Sequence, residues 1–196
     1  MNQVMAPVPP TVAPVALPIV MIGNAASGKS TVGRTAADEL GVPFVDSDAA
    51  IVARHGEISL IFEHEGEASF RRYEAEVIRE IITARSGPYV LSVGGGATVD
   101  LGTRKLLRGL YVIWLDVDLP TVLPRLARRR DRPIMNGDIA AIWTARDEQR
   151  RPVFEKLANF RIDARGTTSP ATAWKVTRKV RGIADSGSTG STIDHG

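Results

Sequence analysis

Residues 17–30 read LPIVMIGNAASGKS, an apolar run that leads directly into the pattern G-x-x-x-x-G-K-[ST]. The apolar run at 17–22 predicts a buried strand, and residues 29–40 predict a helix that ends at Gly41. Glycines let the intervening loop curl so that several N–H groups face one anion, and the helix N-terminus adds partial positive charge. This pattern between a strand and a helix predicts a phosphate loop, with Lys29 reaching the β- and γ-phosphates of a nucleoside triphosphate and Ser30 binding Mg²⁺.

The amino-acid composition narrows the class of protein and of ligand. The chain has 196 residues, a formal net charge of +3 and no cysteine, with 43% hydrophobic and 24% charged residues. These values fit one globular domain and exclude a disulfide scaffold, a thiolate metal site and a catalytic thiol. Because no run approaches about 18 apolar residues, we expect no membrane-spanning helix and a cytoplasmic protein. The 20 arginines against 5 lysines favour an anionic ligand, and the small net charge argues against nucleic acid.

Apolar and amphipathic segments alternate along the rest of the chain. Strands are predicted at 17–22, 43–45, 89–93, 110–115 and 159–162. Helices are predicted at 29–40, 48–55, 67–83, 100–108, 120–129, 139–157 and 171–183. This alternation predicts a three-layer α/β/α fold around a five-stranded parallel sheet. We expect a folded domain at 18–184, between a disordered Pro-rich leader at 1–17 and a flexible Gly/Ser-rich tail or linker at 185–196.

Two aspartates follow the second predicted strand. Asp46 and Asp48 are two residues apart, so on a continuing strand both point to one side, at the carboxyl end where parallel sheets bind ligands. One carboxylate then suits Mg²⁺ and the other the proton of an attacking hydroxyl. The alternative is that Asp48 only caps the next helix and Asp46 begins a turn. By pattern alone, Asp116 at the end of a later strand is an equally good magnesium ligand.

Three further features have both a binding and a structural interpretation. Arg71 and Glu74 share a helix face, where Arg71 can bind a carboxylate, although a solvated ion pair is the better interpretation from composition alone. The glycines at 94–96 either let the backbone approach a ligand closely or form a tight turn. The arginine run at 125–132 is a nucleic-acid patch, a lid over ATP or a solvated helix face. Pro133 favours a mobile loop there, and the lack of interleaved aromatic residues weighs against single-stranded nucleic acid.

With these motifs in this order, the chain resembles the shikimate kinase family over residues 18–183. After the phosphate loop, the family motifs D-[ST]-D, F-R-x-x-E, G-G-G, R-P-[LI] and R-x-P-x-[YF] follow in sequence. Here they are Asp46-Ser47-Asp48, Phe70-Arg71-Arg72-Tyr73-Glu74, Gly94-Gly95-Gly96, Arg132-Pro133-Ile134 and Arg150-Arg151-Pro152-Val153-Phe154. The order and spacing of these five motifs are far more specific than the phosphate loop alone.

The resemblance implies a role for each matched residue, with ATP and shikimate as substrates and Mg²⁺ as cofactor. Asp48 is the expected base and binds the ring hydroxyls, while Arg71 and Arg150 bind the carboxylate. Arg132 closes onto the phosphates, and Arg128 and the loop at 164–170 flank adenine. The other expected contacts are Glu74, Gly94, Gly95 and Gly96 for shikimate, Ala26, Ser27, Gly28, Lys29, Ser30 and Thr31 for ATP, and Ser30 and Asp46 for the metal. Asp116 is left with a structural role.

The implied protein is a monomeric P-loop kinase with a mobile lid, which makes shikimate 3-phosphate and ADP in aromatic amino acid biosynthesis. Two departures stand out: the lid looks shorter and richer in arginine than is usual, and the loop at 163–170 lacks part of the adenine-contacting pattern. The alternatives are another small-molecule kinase, such as a gluconate or nucleotide kinase, and a domain that senses its ligand without catalysis. A fusion through the tail to another enzyme of the pathway is a further possibility.

Overall fold

A computed structural model describes residues 18–127 and 138–188, with side chains described through residue 182. The leader at 1–17, residues 128–137 of the expected lid and the end of the tail at 189–196 lie outside the described residues. The expected ATP-binding residues Arg128 and Arg132 are therefore outside them as well.

Five parallel strands form one sheet in the order β2-β3-β1-β4-β5. They are β1 (Ile19–Ile22), β2 (Phe44–Asp46), β3 (Val90–Ser92), β4 (Tyr111–Asp116) and β5 (Phe160–Asp163). All four residues of the central strand β1 are buried, which explains why its sequence is continuously apolar rather than alternating. The predicted five-stranded parallel sheet is confirmed.

Helices cover both faces of this sheet. They are α1 (Lys29–Leu40), α2 (Ser47–His55), α3 (Ile58–His64), α4 (Gly66–Ala84), α5 (Leu101–Leu107), α6 (Leu119–Ala127), α7 (Ile139–Leu157) and α8 (Ser169–Ser188). The bounds of α1 and α7 are those predicted from the sequence. The seven-residue helix α3 was not predicted, because a segment this short gives too few turns for a helical period to be recognised.

Two of the core clusters lie on opposite faces of the sheet because side chains alternate along each strand. Ile19 and Met21 of β1 pack with the apolar residues of α1 and α8. Val20 and Ile22 face the other way and pack with residues of α4, α5 and α7. The predicted three-layer α/β/α architecture is confirmed by this arrangement.

The last helix is longer than its sequence predicts. It runs to Ser188 rather than to residue 183, so residues 185–188 of the expected flexible tail are helical. Once a helix is formed, each added residue gains a backbone hydrogen bond, which lets it extend into weak helix formers. Among the described helices, none combines the length and apolar composition needed to cross a membrane.

Candidate active site

The phosphate loop, residues 23–30, leaves the carboxyl end of β1 and starts α1. Gly28 has φ of 94° and caps the helix, and Gly23 has φ of 144°. A Cβ at Gly23 would lie 2.8 Å from the carbonyl oxygen of Leu115, so this position also needs a residue without a side chain. The glycines of the motif are thus required by backbone conformation and by close packing against β4.

Lys29 turns back over its own loop. Its Nζ donates to the carbonyl oxygens of Gly23 and Asn24 at 2.8 and 2.9 Å, and Ser27 Oγ lies 3.4 Å away beneath it. A cavity of about 150 Å³ opens above this loop, and it is lined by Ala26, Gly28, Lys29, Ser30, Thr31, Asp48, Ser92, Val93, Gly95, Arg125 and Ser169. Five of the six loop residues expected to bind ATP therefore line this cavity, and the sixth, Ser27, is buried.

The two aspartates after β2 do not lie on a continuing strand, so the strand-period argument from the sequence is wrong. Strand β2 ends at Asp46, and Ser47 already begins α2. Asp46 caps that helix, because its Oδ1 accepts from the backbone N–H groups of Asp48 and Ala49 at 3.0 and 3.3 Å. One of the two aspartates does cap the helix, as the alternative interpretation expected, but the capping residue is Asp46 and not Asp48.

Asp46 and Asp48 nevertheless line the same cavity, which has a volume of about 330 Å³. We call its polar wall the acceptor cup and define it by Asp48, Arg71, Glu74, Gly94, Gly95, Gly96 and Arg150, all of which line this cavity. Ser30, Asp48 and Gly95 line both this cavity and the one above the phosphate loop. The two cavities therefore meet beside the Asp48 carboxylate.

Each of the three consecutive glycines makes room for a different neighbour. A Cβ at Gly94 would overlap Glu74 Oε1, and one at Gly96 would overlap the Arg71 guanidinium. A Cβ at Gly95 would lie 3.1 Å from the backbone nitrogen of Ala25 in the phosphate loop. These glycines let the cup's own charged side chains and the phosphate loop come together, and close approach of their backbone to a ligand remains a prediction.

Arg71 and Glu74 form a buried ion pair and not the solvated one that composition favours. Arg71 Nη1 donates to Glu74 Oε2 at 2.6 Å, and Glu74 is 2% exposed. Burial alone would lower the pKa of Arg71, but Glu74 and Glu67 outweigh it and raise that pKa above its ordinary value. Burial raises the pKa of Glu74, which Arg71 opposes. Arg71 therefore stays charged, and its guanidinium is hydrogen-bonded to both Glu74 and Glu67.

Arg150 enters the cup from α7 in a different environment. Its pKa is lowered to about 10, mainly by burial and to a smaller extent by the nearby guanidiniums of Arg71 and Arg146. Among the described residues, its Nε is buried without a hydrogen-bond partner. An anionic ligand in the cup would relieve both the charge repulsion and the unsatisfied donor.

Comparison with known proteins agrees with this geometry. The family model described as shikimate kinase matches residues 25–181. A shikimate kinase from Mycobacterium avium is 42% identical over 146 residues, which are 74% of this chain and 82% of the relative. A shikimate kinase from Xanthomonas campestris is 40% identical over 79% of this chain and 86% of the relative.

The chain belongs to the shikimate kinase family. A solved family member, the shikimate kinase from Acinetobacter baumannii in complex with shikimate, superposes with a TM-score of 0.81 at 29% identity. The match covers 87% of this chain and 96% of that one. A gluconokinase from Sinorhizobium meliloti matches with a TM-score of 0.63 at 19% identity, which shows the shared fold alone.

Asp116, the other magnesium candidate, is occupied by structural contacts in this shikimate kinase family member. It is 1% exposed and accepts from Arg151 Nη2 at 2.9 Å and Arg161 Nε at 3.0 Å. Ser30 and Asp46 instead line the open cavity. A hydroxyl and a carboxylate are hard oxygen donors, and Mg²⁺ beside phosphates needs only one or two protein ligands of this kind. The residues present thus fit the ion.

Several residues at the site were missed by the sequence analysis. Arg125 was singled out only as part of the arginine run, and it lines the phosphate cavity and donates to the carbonyl oxygen of Ala26 at 3.1 Å. Arg146 lines the acceptor cavity. Asn24 and Asp147 bond to each other at 2.6 Å, 123 positions apart in the chain. The four-residue spacing of Arg146 and Arg150 on one helix was a usable signal, whereas no local pattern marks the Asn24 and Asp147 pair.

Proposed function

We propose that this chain transfers the γ-phosphoryl group of ATP to the 3-hydroxyl of shikimate, giving shikimate 3-phosphate and ADP for aromatic amino acid biosynthesis. The observation that carries the proposal is the junction of the two cavities at Asp48. An acceptor held in the cup has its hydroxyl beside a carboxylate and faces the mouth of the phosphate loop. The Acinetobacter baumannii relative, which was solved with shikimate bound, supports this acceptor.

The acceptor is bound by charge and by hydrogen bonds. In the proposed complex, Arg71 and Arg150 grip its carboxylate from α4 and α7, and Asp48 binds a ring hydroxyl. A charge-assisted hydrogen bond contributes about 1.5–3 kcal/mol, so two arginines select strongly against uncharged polyols. Glu74 keeps Arg71 in place through their ion pair at 2.6 Å.

In the chemical step, Asp48 accepts the proton of the 3-hydroxyl as the oxygen attacks the γ-phosphorus. The new bond joins that oxygen to phosphorus, and the bond from phosphorus to the β–γ bridging oxygen breaks, so that ADP leaves with the electron pair. Lys29 would exchange its contacts with Gly23 and Asn24 for the phosphate oxygens, where its charge offsets the charge of the transition state. Phosphoryl transfer needs mainly such positioning and neutralisation.

Mg²⁺, when bound with ATP, would neutralise phosphate charge, and we assign Ser30 and Asp46 to hold it. Arg132, outside the described residues, keeps its sequence-based assignment to the phosphates. We further propose that the catalytic unit is a monomer and that it acts in the cytoplasm, where ATP is available.

An assay of ADP release with three acceptors tests this proposal. Shikimate should stimulate ADP release, whereas gluconate and nucleoside monophosphates should leave it near the background rate, and mass spectrometry should identify shikimate 3-phosphate. Preference for gluconate would favour the other small-molecule kinase, and nucleotide binding without any acceptor-dependent turnover would favour a ligand-sensing domain. The matched control is Asp48→Asn, which should bind ADP but lose turnover.

A further inference from the structure

Asn24 joins the phosphate loop to the acceptor cup. Its side-chain Nδ2 donates to Asp147 Oδ1 at 2.6 Å, and its Oδ1 accepts from Arg150 Nη1 at 3.2 Å. The residue is 2% exposed. Because a carboxylate only accepts hydrogen bonds, Asp147 fixes the amide with its NH₂ group toward Asp147 and its oxygen toward Arg150, and both of these residues lie on α7.

Asp147 is itself held from a second direction. Arg151 donates to Asp147 Oδ2 through Nε at 3.2 Å and Nη2 at 3.0 Å, and the same Nη2 lies 2.9 Å from Asp116 Oδ1. A continuous polar chain therefore runs from the buried end of β4 through Asp147 and Asn24 to Arg150. Such a chain has few alternative arrangements because Arg151, Asp147 and Asn24 are each bonded to two other residues.

We propose that Asn24 and Asp147 are positioning residues, which hold the Arg150 guanidinium in the acceptor cup without neutralising its charge. This inference rests on the proposed function, in which Arg150 binds the acceptor carboxylate. A neutral amide oxygen orients a guanidinium but leaves its net charge for the ligand. A carboxylate in the same place would compete with the acceptor for that charge.

Although Asn24 lies in the phosphate loop, loss of its side chain should affect the binding of shikimate rather than that of ATP. Its backbone carbonyl accepts from Lys29, while its side chain accepts from Arg150. Truncation of the side chain removes the contact with Arg150 and leaves the backbone contact in place. Loss of the Asn24–Asp147 pair should therefore weaken binding of shikimate much more than binding of ATP.

The first test uses variants of Asp147, which lies outside the phosphate loop. Asp147→Ala removes the acceptor for Asn24 and should raise the KM for shikimate about three- to tenfold, the effect of one net hydrogen bond, with the KM for ATP within about twofold of wild type. Asp147→Asn keeps an oxygen acceptor and should restore a KM near that of wild type. Glu148→Ala is the matched control, because Glu148 is the neighbour on the same helix and carries the same charge.

The second test asks whether Asp147 acts through Asn24. Asn24→Ala should raise the KM for shikimate by a similar factor, and Asp147→Ala introduced into that variant should add less than about twofold. The proposal would be overturned if the double variant raised the KM for shikimate by the product of the two single effects. It would also be overturned if the KM for ATP rose as much as the KM for shikimate. If Asp147→Ala does not fold, the KM values of Asn24→Ala for shikimate and for ATP still test the proposal, because only the KM for shikimate should rise.

The two proposals fail in different ways. If the wild-type chain does not phosphorylate shikimate, the proposed function is wrong, and the inference, which depends on it, falls too. If the wild type is active but neither Asp147→Ala nor Asn24→Ala changes the KM for shikimate, only the positioning role is wrong. A drop in thermal stability of Asp147→Ala with unchanged kinetics would assign the pair a purely structural role.

Discussion

The phosphate loop and the acceptor cup lie side by side, but their parts come from very different distances along the chain. The phosphate loop is eight consecutive residues, 23–30, between one strand and one helix. The acceptor cup combines side chains of α2, α4 and α7 with the glycines that follow β3. The residues of the loop are recognisable in one short stretch of sequence, whereas the residues of the cup come together only when the sheet and its helices are assembled.

The two regions also treat positive charge differently. Lys29 rests on two carbonyl oxygens of its own loop, and Arg71 is paired with Glu74 and Glu67. Arg150 instead meets a neutral amide oxygen and two nearby guanidiniums, Arg71 and Arg146. The cup thus holds a partly uncompensated charge that its ligand must satisfy, and this makes it the region where selectivity resides.

The largest effect is expected at the junction of the two regions. Asp48→Asn keeps the shape of the side chain but removes the base, so kcat should fall about 10²- to 10⁴-fold. Calorimetry should find ADP binding within a few-fold of wild type, because the phosphate loop is untouched. Turnover close to wild type would show that Asp48 is not the base and that the cup contributes binding alone.

Removal of either arginine of the cup should weaken shikimate binding, but only removal of Arg71 should also lower the thermal stability. Arg150→Ala and Arg71→Ala should each raise the KM for shikimate about 10- to 100-fold, through loss of charge-assisted hydrogen bonds. Arg71→Ala should also lower the melting temperature, because it leaves the buried Glu74 carboxylate without its ion pair. Arg150→Ala leaves no buried carboxylate unpaired and should melt near wild type. Kinetics and thermal melts of both variants together check this contrast.

Alanine substitutions at two adjacent glycines should affect different substrates, because one glycine contacts the phosphate loop and the other contacts the acceptor cup. Gly96→Ala places a Cβ against the Arg71 guanidinium and should raise the KM for shikimate about fivefold or more. Gly95→Ala presses on the backbone of Ala25 and should act mainly on the KM for ATP. Steady-state kinetics with each substrate varied in turn measure the split. Equal effects of both variants on both KM values would mean that the two regions move as one body.

The smallest effect is expected from pH. The pKa of Arg150 is lowered to about 10, so it carries its charge at neutral pH and loses it as the pH rises through that value. Shikimate affinity should therefore be constant up to about pH 8.5 and fall several-fold by about pH 10.5. Calorimetric titration measures this, and Arg150→Ala should abolish the decline. Arg71, whose pKa is raised, should not contribute in this range.

What the sequence by itself determined is the local part of this protein. The strand, the phosphate loop and α1 follow from one contiguous stretch of residues, and α1 and α7 have their predicted bounds. The five strands and their parallel pairing follow from alternation of apolar and amphipathic segments. Backbone conformation and periodicity act over short windows, so a single sequence carries their signal.

Only the tertiary structure decided which side chains of the acceptor cup contact one another. Whether Arg71 and Glu74 are solvated or buried, which aspartate caps α2, and what lies above each of the three glycines all depend on elements far apart in the chain. The bonds of Asn24 to Asp147 and Arg150 span 123 and 126 positions. Contacts of this kind leave no period or spacing in one sequence, because they are set by how the layers pack and not by any local preference.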